Sequence, residues 1–380
     1  MPKSGSRSAT SFLRLRHFAA VPLAALLIIA GCGSNNSSTG NSGAAAESGS
    51  QTTAPTAAAT SSAAPAAERL SIKTSFYPMY EFTKNITGGL ADVQLLIPAG
   101  IEPHDWEPTA KDMADISAAD VLVYNGAGME GWAQQVVDGA AGSQLLIVEA
   151  SKDMEIMAGS EEEHGHEHEA EHEDEHEHDH DHEHEGEHEH EHEHEGEAGH
   201  EGHDHGGLDP HVWLDPAMAI QEVRTIEAAL SAAAPEHAAA FKTNSEAYIA
   251  KLQQLDQEFK DGLKDSKRKD FITQHAAFGY LARQYGLTQV PIAGLSPEQE
   301  PSAAQMADIV EFAKANNVKT IFFETLVSSS VADTIAREIG AKSAVLNPLE
   351  GLTEEDIQNN LDYIGIMRQN LAALIAALNE

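Results

Sequence analysis

The sequence predicts an α/β protein with two Rossmann-like (β/α) lobes, each built on a parallel sheet. Short apolar runs alternate with amphipathic helical patterns from residue 68 onward, and this alternation occurs in two rounds. One long helical pattern separates the two rounds. Strands that alternate with helices favour a parallel sheet with helices on its faces. We therefore expect two α/β lobes joined by one long, rigid α-helix.

The first round predicts an N-terminal lobe over residues 68–234. Its expected strands are residues 69–76, 93–97, 121–124 and 144–148, with a helix over residues 77–87. Asp215-Pro216 predicts a helix start, because aspartate caps free backbone N–H groups and proline is tolerated in the first turn. Apolar residues at helical spacing follow, from Ile220 to Leu230.

The joining helix is predicted over residues 235–265, starting at Pro235. At 1.5 Å per residue it would be roughly 40 Å long, which is enough to connect two lobes. The second round, residues 266–380, predicts the C-terminal lobe. Its expected strands are residues 271–273, 318–323 and 344–346, and its expected helices are residues 276–285 and 329–339. Thr353 with Asp356 three residues later indicates a further helix start of the capping-box type.

The first 31 residues are typical of a signal peptide. A basic start precedes an apolar run over residues 18–30 that is too short for an ordinary membrane span. Ile29-Ala30-Gly31-Cys32 resembles a bacterial lipobox, which implies cleavage before Cys32 and a lipid such as palmitate on its sulfur. The alternatives are an ordinary signal peptide and a short buried helix. Because Cys32 is the only cysteine, no internal disulfide can form.

Residues 32–67 are expected to be a disordered tether. Beyond Cys32 they are mostly Ser, Thr, Ala, Gly and Asn, with Glu47 as the only charge and no large apolar side chain. Such a segment cannot bury enough surface to offset its ordering entropy.

A histidine-rich insertion interrupts the first lobe at residues 159–207. Residues 161–205 supply 22 carboxylates, no Lys or Arg, and most of the net charge of −38. The segment should be disordered without metal, because it has no large apolar residue. Imidazole is a suitable ligand for Zn, Ni and Cu, so we interpret the insertion as an auxiliary metal-binding loop. The alternative is a solvated acidic loop without a metal role. Its histidines are His164, His166, His168, His172, His176, His178, His180, His182, His184, His188, His190, His192, His194, His200, His203 and His205.

No basic cluster remains past the signal peptide, which argues against a nucleic-acid partner.

Three of the other histidines stand in settings that favour a metal site. His104 follows the strand at residues 93–97, His275 follows the strand at residues 271–273, and His211 precedes the helix capped by Asp215. Glu324 ends the apolar run 321–323. Ligands of α/β sheets bind past the carboxyl ends of strands. Taken singly, each of these four residues could equally be an ordinary core or surface residue. Together, three imidazoles and one carboxylate form a set that zinc favours.

At these residues the chain resembles the zinc-binding solute-binding proteins of bacterial ABC transporters, the ZnuA/AdcA-like group of cluster A-I with the TroA-type fold. The matching stretches are IPAGIEPHDWEPTAKDM, DPHVWLDP, FITQHAAFGYLARQYGL, GLSPEQEPS and IFFETLVSSSVADTIAREIGA, spread over residues 69–380. The resemblance implies metal in the cleft between the lobes, held by His104 and His211 from the first lobe and His275 and Glu324 from the second. Manganese members typically carry a carboxylate where this chain has His275, and some zinc members complete the site with water or another carboxylate.

The expected function is capture of Zn²⁺ and its delivery to an ABC permease powered by an ATPase. No catalysis is required of this chain, and a monomer is expected, held by the lipid on Cys32 at the outer face of the cytoplasmic membrane. Ni²⁺, Co²⁺ and Cd²⁺ remain open as cleft ligands. The rival hypotheses are a zinc hydrolase, against which stands the absence of a His-Glu-x-x-His motif, and a surface adhesin or extracellular metal buffer.

Overall fold

The computed structural model describes residues 69–159 and 207–380. This part of the chain contains two four-stranded sheets, and every strand pair in them is parallel. The first sheet has the order β2-β1-β3-β4, with β1 at Ser71–Thr74, β2 at Asp92–Leu95, β3 at Val121–Tyr124 and β4 at Leu146–Glu149. The second has the order β6-β5-β7-β8, with β5 at Asp270–Thr273, β6 at Thr288–Pro291, β7 at Thr320–Phe323 and β8 at Lys342–Val345. The expected two parallel-sheet lobes are therefore confirmed.

Helices connect the strands of each sheet. Those before the second sheet are α1 (Tyr77–Thr87), α2 (Ala110–Ser117), α3 (Ala133–Gly139), a 3₁₀ helix (Val212–Leu214), α4 (Pro216–Ala233) and α5 (Ala238–Leu263). Those after β5 are α6 (Gly279–Tyr285), α7 (Ala303–Ala315), α8 (Ser330–Ile339), α9 (Glu354–Gln358) and α10 (Tyr363–Leu378). Because all strands of a sheet run the same way, their carboxyl ends meet at one edge, where polar loops can converge.

The longest helix, α5, packs against both lobes. Its 26 residues correspond to about 39 Å at 1.5 Å per residue. One apolar face, from Phe241 to Leu263, is buried, and the helix contacts α1 and α4 of the first lobe and α6 and α10 of the second. The main hydrophobic core accordingly runs without interruption through both lobes.

Helix α10 is a second connection between the lobes, which the sequence did not indicate. Its first residue, Tyr363, packs edge-on against Phe82 of α1, with ring centroids 5.3 Å apart. The Tyr363 hydroxyl donates to the carbonyl oxygen of Trp213 at 2.5 Å. Two helices rather than one therefore hold the lobes in register.

The helix starts that capping residues indicated are confirmed. Asp215 accepts a hydrogen bond from the backbone N–H of Ala217 at 2.8 Å and caps α4. Thr353 and Asp356 form the reciprocal capping box of α9. Both capping signals involve only residues at the start of the helix, so the sequence alone can indicate them.

Other boundaries differ from the expectation. The joining helix begins at Ala238, not at Pro235, because residues 235–237 form a turn. Strand β6 and helix α7 lie in the stretch between residues 286 and 317, for which the sequence pattern gave no element. The sequence of β6 is Thr-Gln-Val-Pro, so it lacks the apolar run that identified other strands, and its proline is uncommon within a strand.

Several expectations fall outside the described residues. They are the signal peptide and Cys32, the tether, and the auxiliary histidines from His164 to His205. Within the described residues, no helix combines the length and apolar character needed to cross a bilayer.

One buried carboxyl group in the first lobe has no hydrogen-bond partner among the described residues. Glu222 of α4 is fully buried, and among the described residues neither of its oxygens has a hydrogen-bond partner. Burial, together with the nearby Glu130, raises the pKa of Glu222 well above its ordinary value. A carboxyl group in this position is held neutral, because ionising it would leave a buried charge without compensation.

Replacing Glu222 with Met should stabilise the protein, and more so as pH rises. The pKa of Glu222 is higher in the folded state than in the unfolded state. Its contribution to the free energy of unfolding is therefore fully present below the unfolded pKa and is lost as pH rises through the folded pKa. Methionine has no such loss, so the gain in unfolding free energy should be about 1–3 kcal/mol at mildly alkaline pH. Urea unfolding at mildly acidic and mildly alkaline pH measures it. Glu246→Met, at an exposed position of α5, is the control; equal pH profiles for the two variants would contradict the assignment.

Candidate metal site

His104 lies in the loop that follows β2 and is almost completely buried. Its backbone N–H donates to both carboxylate oxygens of Glu102 at 3.0 Å, which fixes the chain just before the ring. The ring nitrogen Nε2 lies 3.3 Å from Oε1 of Glu350. Burial lowers the pKa of His104 to about 4, against the opposing effect of Glu350. The ring is therefore held neutral, the state in which imidazole can bind a metal.

His211 lies immediately before the 3₁₀ helix and is fully buried. Asp209 holds it from behind: its Oδ1 accepts from the backbone N–H of His211 at 3.0 Å and from Nδ1 at 2.8 Å. Since a carboxylate only accepts, Nδ1 carries the hydrogen and Nε2 points toward the cleft. Although burial acts to lower the pKa of His211, hydrogen bonds to Asp209 and Glu350 raise it.

His275 follows β5 and is also fully buried. Its carbonyl oxygen accepts from the Thr273 hydroxyl and from the Gln289 amide, both at 2.8 Å. On the ring, Nδ1 lies 2.5 Å from Oε1 of Glu324, and Nε2 lies 3.3 Å from Nε2 of His211. Burial acts to lower the pKa of His275, but the carboxylates of Glu324 and Glu350 raise it well above its ordinary value.

The fourth residue at this point is Glu350, in the loop after β8. Its Oε1 lies 3.3 Å from Nε2 of His104, 3.4 Å from Nε2 of His211 and 3.3 Å from Nε2 of His275. Burial would raise the pKa of Glu350, but His275 and the hydrogen bonds to all three rings lower it well below its ordinary value. One carboxylate oxygen thus contacts all three imidazoles.

These four residues form a group that could hold a metal ion. Their ligand atoms all lie within 4.8 Å of one another, and the four residues are buried. A tetrahedron with zinc–ligand bonds of about 2.0–2.1 Å has edges of about 3.3–3.4 Å. Four of the six separations among these atoms, three between Nε2 and Oε1 and one between two Nε2 atoms, are 3.3 or 3.4 Å. These four separations match the edges of such a tetrahedron.

Glu324, which the sequence suggested as the fourth ligand, does not lie in this group. The structure brings His104, His211 and His275 together but places Glu324 behind the ring of His275, on Nδ1. Both the backbone N–H and Nδ1 of His275 face the same oxygen of Glu324, at 3.2 and 2.5 Å. The reason is positional: Glu324 immediately follows β7, which lies beside β5, so its carboxylate meets the backbone N–H and Nδ1 of His275 just after β5.

Sequence reasoning missed Glu350, although a signal for it existed. The segment lies past the carboxyl end of β8, the strand next to β7, and therefore at the same sheet edge as His275. Four residues lie between the end of that strand and Glu350, whereas Glu324 adjoins its own strand. The reach of the β8 loop depends on tertiary contacts that no local pattern encodes.

The Glu350 loop is held from both lobes. Leu349 has a left-handed backbone with φ of 61°, unusual for a branched side chain, and its N–H donates to Oδ1 of Asn347 at 2.8 Å. Trp213 of the first lobe donates from Nε1 to the carbonyl of Pro348 at 2.8 Å. The N–H of Gly100, also from the first lobe, donates to the carbonyl of Leu352 at 2.9 Å. These bonds fix an otherwise strained turn with its carboxylate aimed at the three rings.

Comparison with known proteins finds relatives that are named for zinc uptake and zinc binding. The model of the ZnuA family, described as the periplasmic component A of a zinc-uptake complex, matches residues 72–377. The chain is 49% identical over 307 residues to the high-affinity zinc uptake system protein ZnuA of Bacillus subtilis, covering 81% of this chain and 87% of that protein. It is 45% identical over 306 residues to the zinc-binding lipoprotein AdcA of Streptococcus pneumoniae, covering 80% of this chain but 55% of AdcA, so it spans about half the length of that relative.

A solved structure shows the same fold with metal bound. The Zn(II)-bound ZnuA-like domain of AdcA from Streptococcus pneumoniae superposes with a TM-score of 0.65 at 40% sequence identity. The match covers 82% of this chain and all of that domain.

Proposed function

The chain belongs to the ZnuA family, and on that premise we propose that it captures Zn²⁺ outside the cytoplasmic membrane and delivers it to a permease powered by an ATPase. The observation that carries the proposal is the spacing of the four buried ligand atoms of His104, His211, His275 and Glu350. Support comes from relatives that are named for zinc uptake and zinc binding.

The donor set favours zinc over manganese or magnesium. Three imidazole nitrogens and one carboxylate oxygen are borderline-soft ligands of the kind that tetrahedral Zn²⁺ prefers, whereas Mn²⁺ and Mg²⁺ favour more oxygen atoms. Glu324 and Asp209 act behind the rings of His275 and His211, where they fix the tautomer that leaves Nε2 free.

Four protein ligands argue for binding and against hydrolysis. A catalytic zinc keeps one position for water, while a site with four protein donors is closed. All four residues are buried, so water has no direct path to an ion held there. We therefore infer that this chain is a carrier and not an enzyme.

Release requires movement, because the ligands come from both lobes. His104 and His211 precede α5, and His275 and Glu350 follow it. An ion bound by all four is enclosed until the lobes or the Glu350 loop shift. Binding of the chain to the permease would supply that shift by favouring the more open arrangement.

Cys32 places the carrier at the membrane surface. The lipobox-like sequence before it supports a lipid anchor, and AdcA is named a lipoprotein. A single anchored chain, with the permease and its ATPase as partners, is the arrangement we propose.

The histidine-rich insertion is a second, auxiliary proposal. Residues 161–205 join the chain just before His211, so metal collected there at low affinity would be released close to the cleft. Imidazole at this density binds several transition metals, which suits collection better than selection.

Replacing His275 with Ala should lower zinc affinity more than about 100-fold, since loss of a direct ligand should exceed the effect of losing a residue behind it. Competition with a chromophoric chelator measures the affinity. His237→Ala is the matched control, because His237 lies at the N-terminus of α5, outside the metal group, and makes no capping hydrogen bond there. Equal zinc affinity in His275→Ala and the wild type would refute the site.

Glu350→Ala and Glu324→Ala should weaken binding in different ways. Without Glu350 one coordination position passes to water, so the visible spectrum of bound Co²⁺ should change with pH around neutrality as that water ionises. Without Glu324 all four protein donors remain, so the spectrum should stay independent of pH in that range while affinity falls about 10- to 100-fold. The reverse pattern would restore Glu324 as the fourth ligand.

Deleting residues 161–205 should slow growth under zinc limitation and leave the cleft affinity unchanged. The reason is that the insertion supplies ions to the cleft without contributing its ligands. Growth curves with a membrane-impermeant chelator test the first part, and chelator competition on the purified variant tests the second. Replacement of the segment by a Gly/Ser linker of equal length is the control; normal growth at every zinc level would remove the auxiliary role.

A further inference from the structure

The two chain segments that flank residues 160–206 are fastened to each other. Ala158 and Leu208 form an isolated antiparallel bridge. One residue further on, the N–H of Asp209 donates to the carbonyl of Met157 at 2.9 Å. The histidine-rich insertion therefore leaves and rejoins the first lobe at one small, defined structure.

A single hydroxyl group from the second lobe binds both sides of this structure. Tyr280, on α6, is fully buried. Its hydroxyl accepts from the backbone N–H of Met157 and donates to the carbonyl of Asp209, both at 2.8 Å. Both functions of the hydroxyl are thus used by the other lobe.

Packing around Tyr280 reinforces the contact. The ring belongs to a small apolar cluster that is separate from the main core and draws on both lobes. Its members are Val212, Met218 and Tyr280, with Met154, Ile156 and Met157 packed against them. Beside the ring, Gly279 lets the backbone of α6 approach Asp209: a Cβ there would lie 2.8 Å from Oδ2 of that carboxylate. The start of α6 and Asp209 therefore lie too close together to admit a side chain at Gly279.

The contact leads directly to a proposed zinc ligand. Asp209, whose carbonyl Tyr280 binds, holds the ring of His211 through Oδ1. Helix α6 itself begins four residues after His275. Tyr280 thus connects the support of one zinc ligand to the helix that follows another.

We propose that Tyr280 is an interlobe latch: a positioning residue that fixes Asp209, and through it His211, and whose two hydrogen bonds must break before zinc can leave. The proposal rests on the proposed function, since it concerns release of the ion from the same site. Zinc binding and latch closure both hold the lobes together, so each stabilises the other. Met157 N–H and the Asp209 carbonyl would lose their shared partner when the lobes part.

Tyr280→Phe in the full chain tests the latch. Zinc dissociation into excess chelator, followed by stopped flow, should be roughly tenfold faster than in the wild type, in line with the loss of a support behind a ligand. Tyr285→Phe is the matched control, because its hydroxyl lies on the same helix and bonds Asp256 of α5. The two metal-free variants should melt at similar temperatures, so a difference in dissociation rate reports on positioning and not on general stability.

A second variant tests the same latch and keeps the Tyr280 hydroxyl. Gly279→Ala forces Asp209 aside and should also accelerate dissociation. A double-mutant cycle of Tyr280→Phe with Asp209→Asn should be non-additive, because both act through His211, whereas Tyr280→Phe with Glu324→Gln should be additive.

The outcomes separate this proposal from the one it rests on. Wild-type protein that binds no zinc overturns the proposed function. Tight binding in the wild type, with Tyr280→Phe no faster to dissociate than Tyr285→Phe, overturns the latch alone. Additivity with Asp209→Asn would show that Tyr280 does not act through His211.

Discussion

A single carboxylate oxygen, on Glu350, lies within 3.4 Å of the Nε2 atoms of three buried imidazoles. Three such rings and a carboxylate would not be gathered in a buried cleft without compensation, because the desolvation of charged and polar groups is costly. The compensation built into the chain is partial: Asp209 and Glu324 each bind the rear nitrogen of one ring. A dication bound among the four atoms, as we propose, would complete it.

This constraint explains the two-lobe architecture. Each lobe supplies two of the four donors from the carboxyl edge of its own sheet or from the start of a helix. Neither lobe alone could surround an ion. Helices α5 and α10 keep the two edges opposed, and the continuous core beneath them limits how far they can separate. On our proposal the same scaffold that assembles the site also controls its opening, through Tyr280 and the Glu350 loop.

Much of this was predictable from local patterns. The strand–helix alternation gave the two parallel sheets, and Asp215 and Thr353 marked helix starts through capping that depends only on neighbouring residues. The three histidines stood out because each lies at a strand end or a helix start. The joining helix began later than proline suggested, since a turn over residues 235–237 precedes it. Strand β6 escaped notice because its sequence, Thr-Gln-Val-Pro, has a single apolar β-branched residue and a proline.

The choice between Glu324 and Glu350 could not be made from such patterns alone. Glu324 adjoins its strand and looked like a ligand, while Glu350 lies further out on a loop shaped by Trp213, Gly100 and the left-handed Leu349. Those contacts come from residues far away in the sequence, so only the folded chain reveals which carboxylate faces the rings. The most direct test is a crystal structure of the zinc-loaded protein with anomalous data at the zinc edge. Our account predicts one ion bound by Nε2 of the three histidines and by Glu350, with Glu324 hydrogen-bonded to His275; an ion bound by Glu324, or by water in place of Glu350, would contradict it.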